Sequence, residues 1–358
     1  MELKDIYAKK VQSIKVENKV SISKLLSKMA KTGYQGRKLA EATDVIGEMI
    51  KDKDVTIFMG LAGSMSTAGQ WRIINWFIEN NYIDVLVPTG ANISEDIVEA
   101  MGYSYFQGPH LVDDKKVFDL GLNRYYDVYG REDDYLNMTE LIAGFIQTLD
   151  KDYKYSSREF LYLFGRFLYK KGIKSIVATA AEKKVPIFCP AIIDSPYGDA
   201  ALIAESNGFH LTIDAIKDYV EFMKLAEEVK DTGVIYIGGG VPKDFIQLFA
   251  VTADLLYKDR TVPSRDKKPI YCNLTNESYY PHKYAVQITT DAPQWGGLSG
   301  CTFEEAISWG KESSDGKFVQ CYCDATIALP IISHALAETI KSNRKPKSFR
   351  LKKSFWPV

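Results

Sequence analysis

The stretch FEEAISWGKESSDGK, starting at Phe303, places Lys311 directly behind Trp309 and Gly310, with Glu304 and Glu305 about two turns upstream. A deprotonated lysine amine attacks imine or carbonyl carbon, an indole face holds amine cations, and carboxylates neutralise them. These residue types together could handle an amine. The same residues also fit an amphipathic helix whose last lysine caps carbonyls and complements the helix dipole in solvent. Local spacing leaves both readings open.

A second group lies after four apolar runs: MGLAGSMSTAG, PTGANISED, CPAIIDSPYGD and IGGGVPKDF. Ligands of doubly wound sheets bind beyond the carboxyl ends of the strands. Small residues there let backbone N–H groups approach a phosphate at a helix N-terminus. None of these turns is a G-x-G-x-x-G fingerprint, and each glycine taken alone is ordinary turn chemistry. Asp194, Asp199 and Asp324 at such ends either cap helices or hold ribose hydroxyls or a cationic ligand. Three acids in equivalent places tilt the expectation toward a cationic or ribose-bearing ligand. The four histidines show no metal-ligand spacing, and the C-x-C of Cys321 and Cys323 has no companion pair, so no metal site is expected. Walker A and G-x-S-x-G patterns are missing as well.

Composition narrows the partners. Lysine plus arginine total 45 against 46 acids, a formal net charge of -1, which gives no electrostatic case for nucleic acid or an anionic membrane surface. The longest apolar run, ATIALPIISHALA, is 13 residues with Pro330, Ser333 and His334 inside it, short of the ~20 a membrane span requires. The charged start MELKDIYAKKVQSIKVENK lacks the apolar segment of a secretory signal, and the five cysteines are scattered, so a reducing cytoplasm is the expected location.

The elements that must position these residues follow from periodicity. Residues 21–50 read as two helices, with Gly33 as the stop between them. VTIFMG, YIDVLVPTGA, VPIFCPAIID, GVIYIGGG, YAVQITT and FVQCYCDAT read as buried strands, alternating with helices such as QWRIINWFIENN, TELIAGFIQTLDK, SREFLYLFGRFLYKKG and the closing ALPIISHALAETI. Apolar strands alternating with helices predict a Rossmann-like, doubly wound α/β fold with a mainly parallel sheet covered on both faces. The expected organisation is a helical N-terminal extension over 1–50 and one large NAD-binding α/β domain over 51–358.

Taken in order, EEAISWGK, CDATIALP, PAIIDSPYGD, PTGANISED and IGGGVPK resemble the deoxyhypusine synthase family, which includes homospermidine synthase, over most of the chain from about Arg37 to Ile340. The resemblance implies an NAD-dependent transferase. It would oxidise the secondary amine of spermidine, carry the butylamine part as an imine on a lysine, and pass it to an acceptor amine. By place in the motif Lys311 matches the imine-forming lysine, while Asp199, Glu305, Trp309, Gly296 and Gly297 match positions lining the polyamine tunnel. Gly63, Ser64, Thr67, Thr89, Gly90, Ala91, Glu95, Asp194, Gly239, Thr290, Asp324 and Ala325 match positions that hold NAD. The acceptor implied is a lysine of translation initiation factor 5A, with a free diamine such as putrescine as the alternative. A homotetramer with sites between paired subunits is also implied.

The departures from the family pattern fall on the amine side. The catalytic histidine's position is Asp244, followed by Phe245; an asparagine is replaced by Leu248, a tyrosine by Gln287 and an aspartate by Leu298. Asp244 is the candidate to take over proton transfer, because a carboxylate beside an ammonium can do that work.

Overall fold

The computed structural model describes residues 9–263, 270–271, 278–297, 301–341, 344–347 and 349. Five strands form the central sheet: β1 (Val55–Leu61), β2 (Val85–Pro88), β3 (Asp231–Ile237), β4 (His282–Thr289) and β5 (Glu312–Tyr322). Their spatial order is β5-β4-β3-β1-β2, and every neighbouring pair is parallel. The strand order reverses between β1 and β3, which makes the crevice beyond Leu61 and Ile237 the topological switch point.

Every residue of β1 and β3 is buried. Continuous apolar runs are what a parallel sheet covered on both faces requires. Alternate residues feed opposite cores: Ile57, Met59 and Leu61 pack into one, and Phe58 with Val234 and Tyr236 into the other. The first core is shared by helices α1 (Ile22–Met29), α2 (Tyr34–Lys51), α3 (Trp71–Glu79), α5 (Glu132–Ile146), α6 (Ser157–Lys170), α7 (Ile176–Lys183), α8 (Pro196–Ser206) and the closing α11 (Ala325–Thr339), with α2 and α11 packed directly on the sheet. The short α4 (Glu95–Ala100) follows β2. The second face is covered mainly by α9 (Gly240–Thr252) through Ile246 and Phe249, together with Phe222 and Phe303, the latter on α10 (Phe303–Ser308). Gly60 admits this close approach: a Cβ there would lie 3.0 Å from the Tyr236 ring and 3.3 Å from the Pro242 carbonyl.

Two local expectations are corrected. Gly33 does not stop the first helix; it is the extended N-cap residue of α2, which buries Leu39, Ile46 and Met49 in the same core as β1. VPIFCPAIID does not form a strand. It touches the sheet at one bridge, Ile187 beside Leu86, where Leu86 N donates to Pro186 O and Phe188 N to Leu86 O, each at 3.0 Å. Pro186 and Pro190 have no N–H to continue a ladder, so the apolar run stays irregular. Cys321 and Cys323 do face the same way, their sulfurs 3.7 Å apart; Cys272 lies outside the described residues. No helix among the described residues is long and apolar enough to cross a membrane.

Candidate active site

The sequence-predicted residues fall into two constellations. The first is built on the loops after β1 and β2. Asn92, fully buried, ties these loops together: its Oδ1 accepts from Met65 N at 2.8 Å, and its Nδ2 donates to Gly63 O and Thr89 Oγ1, each at 2.7 Å. Thr89 Oγ1 in turn donates to Gly63 O at 2.7 Å, and Gly63 supplies the left-handed turn with φ of +68°. Gly90 is pressed against Ser195, whose Oγ would be 2.2 Å from an added Cβ, so only glycine fits there. Ala91 opens the 3₁₀ turn that follows.

Ser64 hydrogen-bonds Thr67 Oγ1 at 3.0 Å and donates to the Glu95 carboxylate. Burial pushes the Glu95 carboxyl above the usual range, and the Ser64 bond opposes that shift. Tyr105 and Tyr125 lie edge to face beside it, with ring centroids 6.1 Å apart, and Tyr105 Oη donates to Glu95 O at 3.1 Å. Burial pushes both phenols up, Tyr125 to about 12. Tyr135 donates to Asp199 Oδ2 at 3.2 Å and is held in its phenol form by burial and by that carboxylate. The spacing carried no sign that three phenols converge on Glu95 and Asp199.

The remaining cofactor candidates lie on loops at the carboxyl edge. Asp194 and Thr290 are exposed, and Gly239 is the buried N-cap of α9. Asp324 N-caps α11, accepting from Thr326 N and Thr326 Oγ1 at 2.7 Å, with Ala325 as the first helical residue. Helix capping, the plainer of the two expectations, is thus realised at Asp324, and its carboxylate remains exposed.

The second constellation surrounds Lys311. The helix α10 ends at Ser308, and Gly310 with φ of +75° turns the chain so that Lys311 N donates to Ala306 O at 3.0 Å. This is a Schellman-type stop, with the glycine in the left-handed position. Lys311 then enters β5, and its carbonyl accepts from His282 N at 3.0 Å. A Cβ on Gly310 would lie 2.9 Å from the Tyr279 ring, so glycine is needed for space as well as for φ.

The Lys311 side chain is not a solvated helix cap. Only 14% of it is exposed; Nζ donates to Asp244 Oδ1 at 3.1 Å and lies 5.3 Å from the centre of the Trp309 ring. Asp244 projects from the second turn of α9 with most of its own surface in solvent. Glu305 and Trp309 are exposed, and the Glu305 N–H is capped by Thr302 Oγ1 at 3.0 Å. Among the described residues no hydrogen bond or ion pair links Lys311 to Glu305 or to Asp199. Gly296 adopts φ of +80°, and Gly297 abuts Asp291. Leu298 lies outside the described residues.

Behind Lys311 is a polar cluster that sequence reading missed. Lys243, 3% exposed, donates to Gln287 Oε1 at 2.9 Å and Cys301 O at 3.0 Å, between the rings of Tyr236 and Phe303. Gln287 also accepts from Gln320 Nε2 at 2.8 Å and donates to Gly238 O at 2.9 Å. Burial pulls the Lys243 ammonium below the usual lysine range. Glu312 is 1% exposed, with Oε1 accepting from Gln247 Nε2 at 3.4 Å. A lysine and a glutamate in amphipathic surroundings read as surface residues, so nothing in the sequence marked them as interior.

The chain matches the family model described as deoxyhypusine synthase over residues 24–336. It is 45% identical over 327 residues to "Probable deoxyhypusine synthase 2" of Methanosarcina mazei, covering 91% of this chain and 89% of the relative. It is 47% identical over 308 residues to the protein of the same name in Archaeoglobus fulgidus, covering 86% and 95%. A "Deoxyhypusine synthase-like protein" of Elusimicrobium minutum is 37% identical, covering 94% and 84%. In fold, the chain superposes on a crystal structure from Entamoeba histolytica assigned to the same enzyme, with a TM-score of 0.61 at 18% identity, covering 94% and 100%.

Proposed function

The chain belongs to the deoxyhypusine synthase family, and from that premise we propose that it is an NAD-dependent aminobutyl transferase that carries its cargo on Lys311. The observation that carries this reading is the setting of Lys311: an amine mostly withdrawn from water, bonded to a single carboxylate at 3.1 Å and lying against an indole face. A nucleophilic lysine needs partial desolvation and a neighbour able to take its proton. Asp244 meets the second requirement.

The donor in this reading is spermidine. Its secondary amine loses a hydride from the adjoining carbon and a proton from nitrogen to give an imine. The freed Lys311 amine adds to that imine carbon, the bond to the original nitrogen breaks, and the three-carbon diamine leaves. The acceptor amine then displaces Lys311 in the same way, and the resulting imine is reduced. NAD, when bound, would be the hydride acceptor for the first oxidation and the hydride donor for the final reduction. The carboxyl edge fits such a group: Ser64, Thr67, Thr89 and Thr290 offer hydroxyls, Asp194 and Asp324 offer exposed carboxylates for ribose hydroxyls, and Gly63, exposed with open space at its Cβ position, leaves the backbone open to phosphate beside Gly90, Ala91 and Gly239. Asp199 with Tyr135 suits a cationic end of a polyamine, while Glu95, held by Ser64, belongs with the cofactor loops.

Among the described residues no hydrogen bond or ion pair joins the two constellations, which favours a site completed by a second copy. Ile193, Val241, Trp295, Trp309 and Ile327 leave between 52% and 86% of their surface exposed, an apolar complement suited to subunit contact. A cytoplasmic homotetramer with paired sites is therefore the assembly proposed.

The acceptor in this reading is a lysine of translation initiation factor 5A. The test supplies spermidine and NAD with either the purified factor or putrescine and follows labelled butylamine. Label on the factor supports the reading; label recovered only as homospermidine moves the chain to the free-diamine branch; no label on either overturns transfer.

A further inference from the structure

Cys321 and Cys323 meet where β5 gives way to α11. Cys321 is the last residue but one of the strand, paired with Ile288 of β4 and fully buried, whereas Cys323 is half-buried. Two positions apart on an extended strand, Cα atoms stand ~6.6 Å from one another, near the outer limit of ~6.8 Å for a disulfide. Here the chain has already begun to turn. Cys323 N donates to Cys321 O at 3.1 Å, closing a three-residue turn that shortens the span and leaves the two sulfurs 3.7 Å apart.

The two thiols differ in access and in freedom to move. The Cys321 sulfur lies 3.8 Å from Gln35 O, and Tyr322 N donates to Gln35 Oε1 at 2.7 Å, so the start of α2 holds this end of the strand in place. Cys323 lies beyond the ladder, directly before Asp324, whose carboxylate caps α11 through Thr326 N and Thr326 Oγ1. The hydrogen bond from the Cys321 thiol holds the Cys323 thiol below its ordinary range, which favours thiolate on the more accessible sulfur.

We propose that Cys321 and Cys323 are an oxidisable dithiol that closes to a disulfide and thereby shifts the Asp324 cap at the cofactor edge. The co-reactant is a peroxide. The Cys323 thiolate attacks one peroxide oxygen, the O–O bond breaks, and hydroxide leaves a sulfenic acid behind. The Cys321 thiol then attacks that sulfur, the S–O bond breaks, and the hydroxyl departs as water with the thiol proton. The cysteine pair has lost two electrons and the peroxide has gained them. Reaching the S–S bond length of ~2.05 Å moves Cys323 rather than Cys321, which the ladder and Gln35 hold, and Asp324 moves with its neighbour. The consequence for NAD rests on the reading of Asp324 and Ala325 as cofactor residues.

The test treats the whole chain with a few equivalents of hydrogen peroxide and blocks the remaining thiols with iodoacetamide in denaturant. The tryptic peptide 318–341, which holds these two cysteines and no other, is then weighed. The expected product is unalkylated and lighter by two hydrogens, and dithiothreitol returns it to the doubly alkylated form. Cys321→Ser should leave on Cys323 a sulfenic acid that dimedone traps, and Cys323→Ser should leave Cys321 open to alkylation after peroxide. Calorimetric titration should show NAD binding about ten-fold weaker in the oxidised chain, with no effect of peroxide in Cys323→Ser. A peptide that stays doubly alkylated, a sulfinic acid on Cys323 without a disulfide, or an oxidised chain of unchanged NAD affinity overturns the proposal. A reduced chain that binds no NAD removes the cofactor reading instead; the disulfide, together with a lower melting temperature on oxidation, then decides this inference.

Discussion

Lys311 donates to Asp244 across 3.1 Å although the two are 67 residues apart in the chain. The contact exists because α9 descends from the switch point past the first residues of β5. In the proposed mechanism the Asp244 carboxylate is the proton-transfer partner of Lys311, at the position matched to a histidine by resemblance to the family. Asp244→Ala should slow imine formation on Lys311 about 100-fold. Because the Asp244 side chain is 62% exposed, unfolding free energy should change by less than about 1 kcal/mol. Single-turnover trapping and a urea melt on the same preparation check both halves, and Asp244→His should recover part of the rate.

Gly310 aims Lys311. Its φ of +75° and its contact with the Tyr279 ring leave no room for a methyl group. Gly310→Ala should cost about 1–3 kcal/mol in unfolding free energy. It should also turn the Lys311 amine away from Asp244, so that imine formation falls further than NAD affinity does. A wild-type melting curve for this variant would contradict the account.

Asn92 holds the loops after β1 and β2 in one arrangement. Asn92→Ala leaves the Met65 N–H without its acceptor and the Gly63 carbonyl with Thr89 Oγ1 alone, at about 2 kcal/mol or more. NAD binding should weaken while the Lys311–Asp244 contact stays in place, because the two lie in separate constellations. Calorimetric NAD titration checks the first, and a crystal structure of the variant the second.

How much of this was legible in the sequence depended on whether neighbours in space were also neighbours in pattern. The strands β1, β3 and β4 announced themselves as apolar runs, and the glycine turns after them fell at the carboxyl edge as expected. VPIFCPAIID had the same apolar signature, yet Pro186 and Pro190 prevented a ladder; the run recorded burial rather than pairing. Trp309, Gly310 and Lys311 were visible as a motif, but the withdrawal of Lys311 from water depends on Asp244, which arrives from another element. Gln287 stood out as a departure within a buried strand, but Lys243, Gln247 and Glu312 carried no sign of burial, because these residue types are ordinarily on a surface and only the packing of α9 and α10 against β3–β5 encloses them. Asn92 stood inside a recognised turn without any sign that it would bind five groups.

Three buried carboxyls set the pH dependence of stability. Burial raises Glu312 from 4.5 to about 8, and Asp96 and Asp218 from 3.8 to about 7. A group whose folded value is raised gives its full stabilisation below the unfolded value and loses it as pH rises through the folded one. Thermal stability should therefore decline from about pH 5 to about pH 8. Glu312→Gln should flatten the upper part of that decline, between about pH 7 and pH 8.5, and leave the part due to Asp96 and Asp218. Calorimetric melts across the range check the slope.

The central claim is that Lys311 carries the aminobutyl group, and covalent trapping tests it most directly. The protein is incubated with NAD and spermidine, reduced with borohydride, digested and mapped by mass spectrometry. The account predicts a butylamine adduct on Lys311, dependent on NAD and absent from Lys311→Ala, whose NAD affinity stays close to wild type. An unmodified Lys311 in protein that binds NAD, or an adduct on a different lysine, would contradict it.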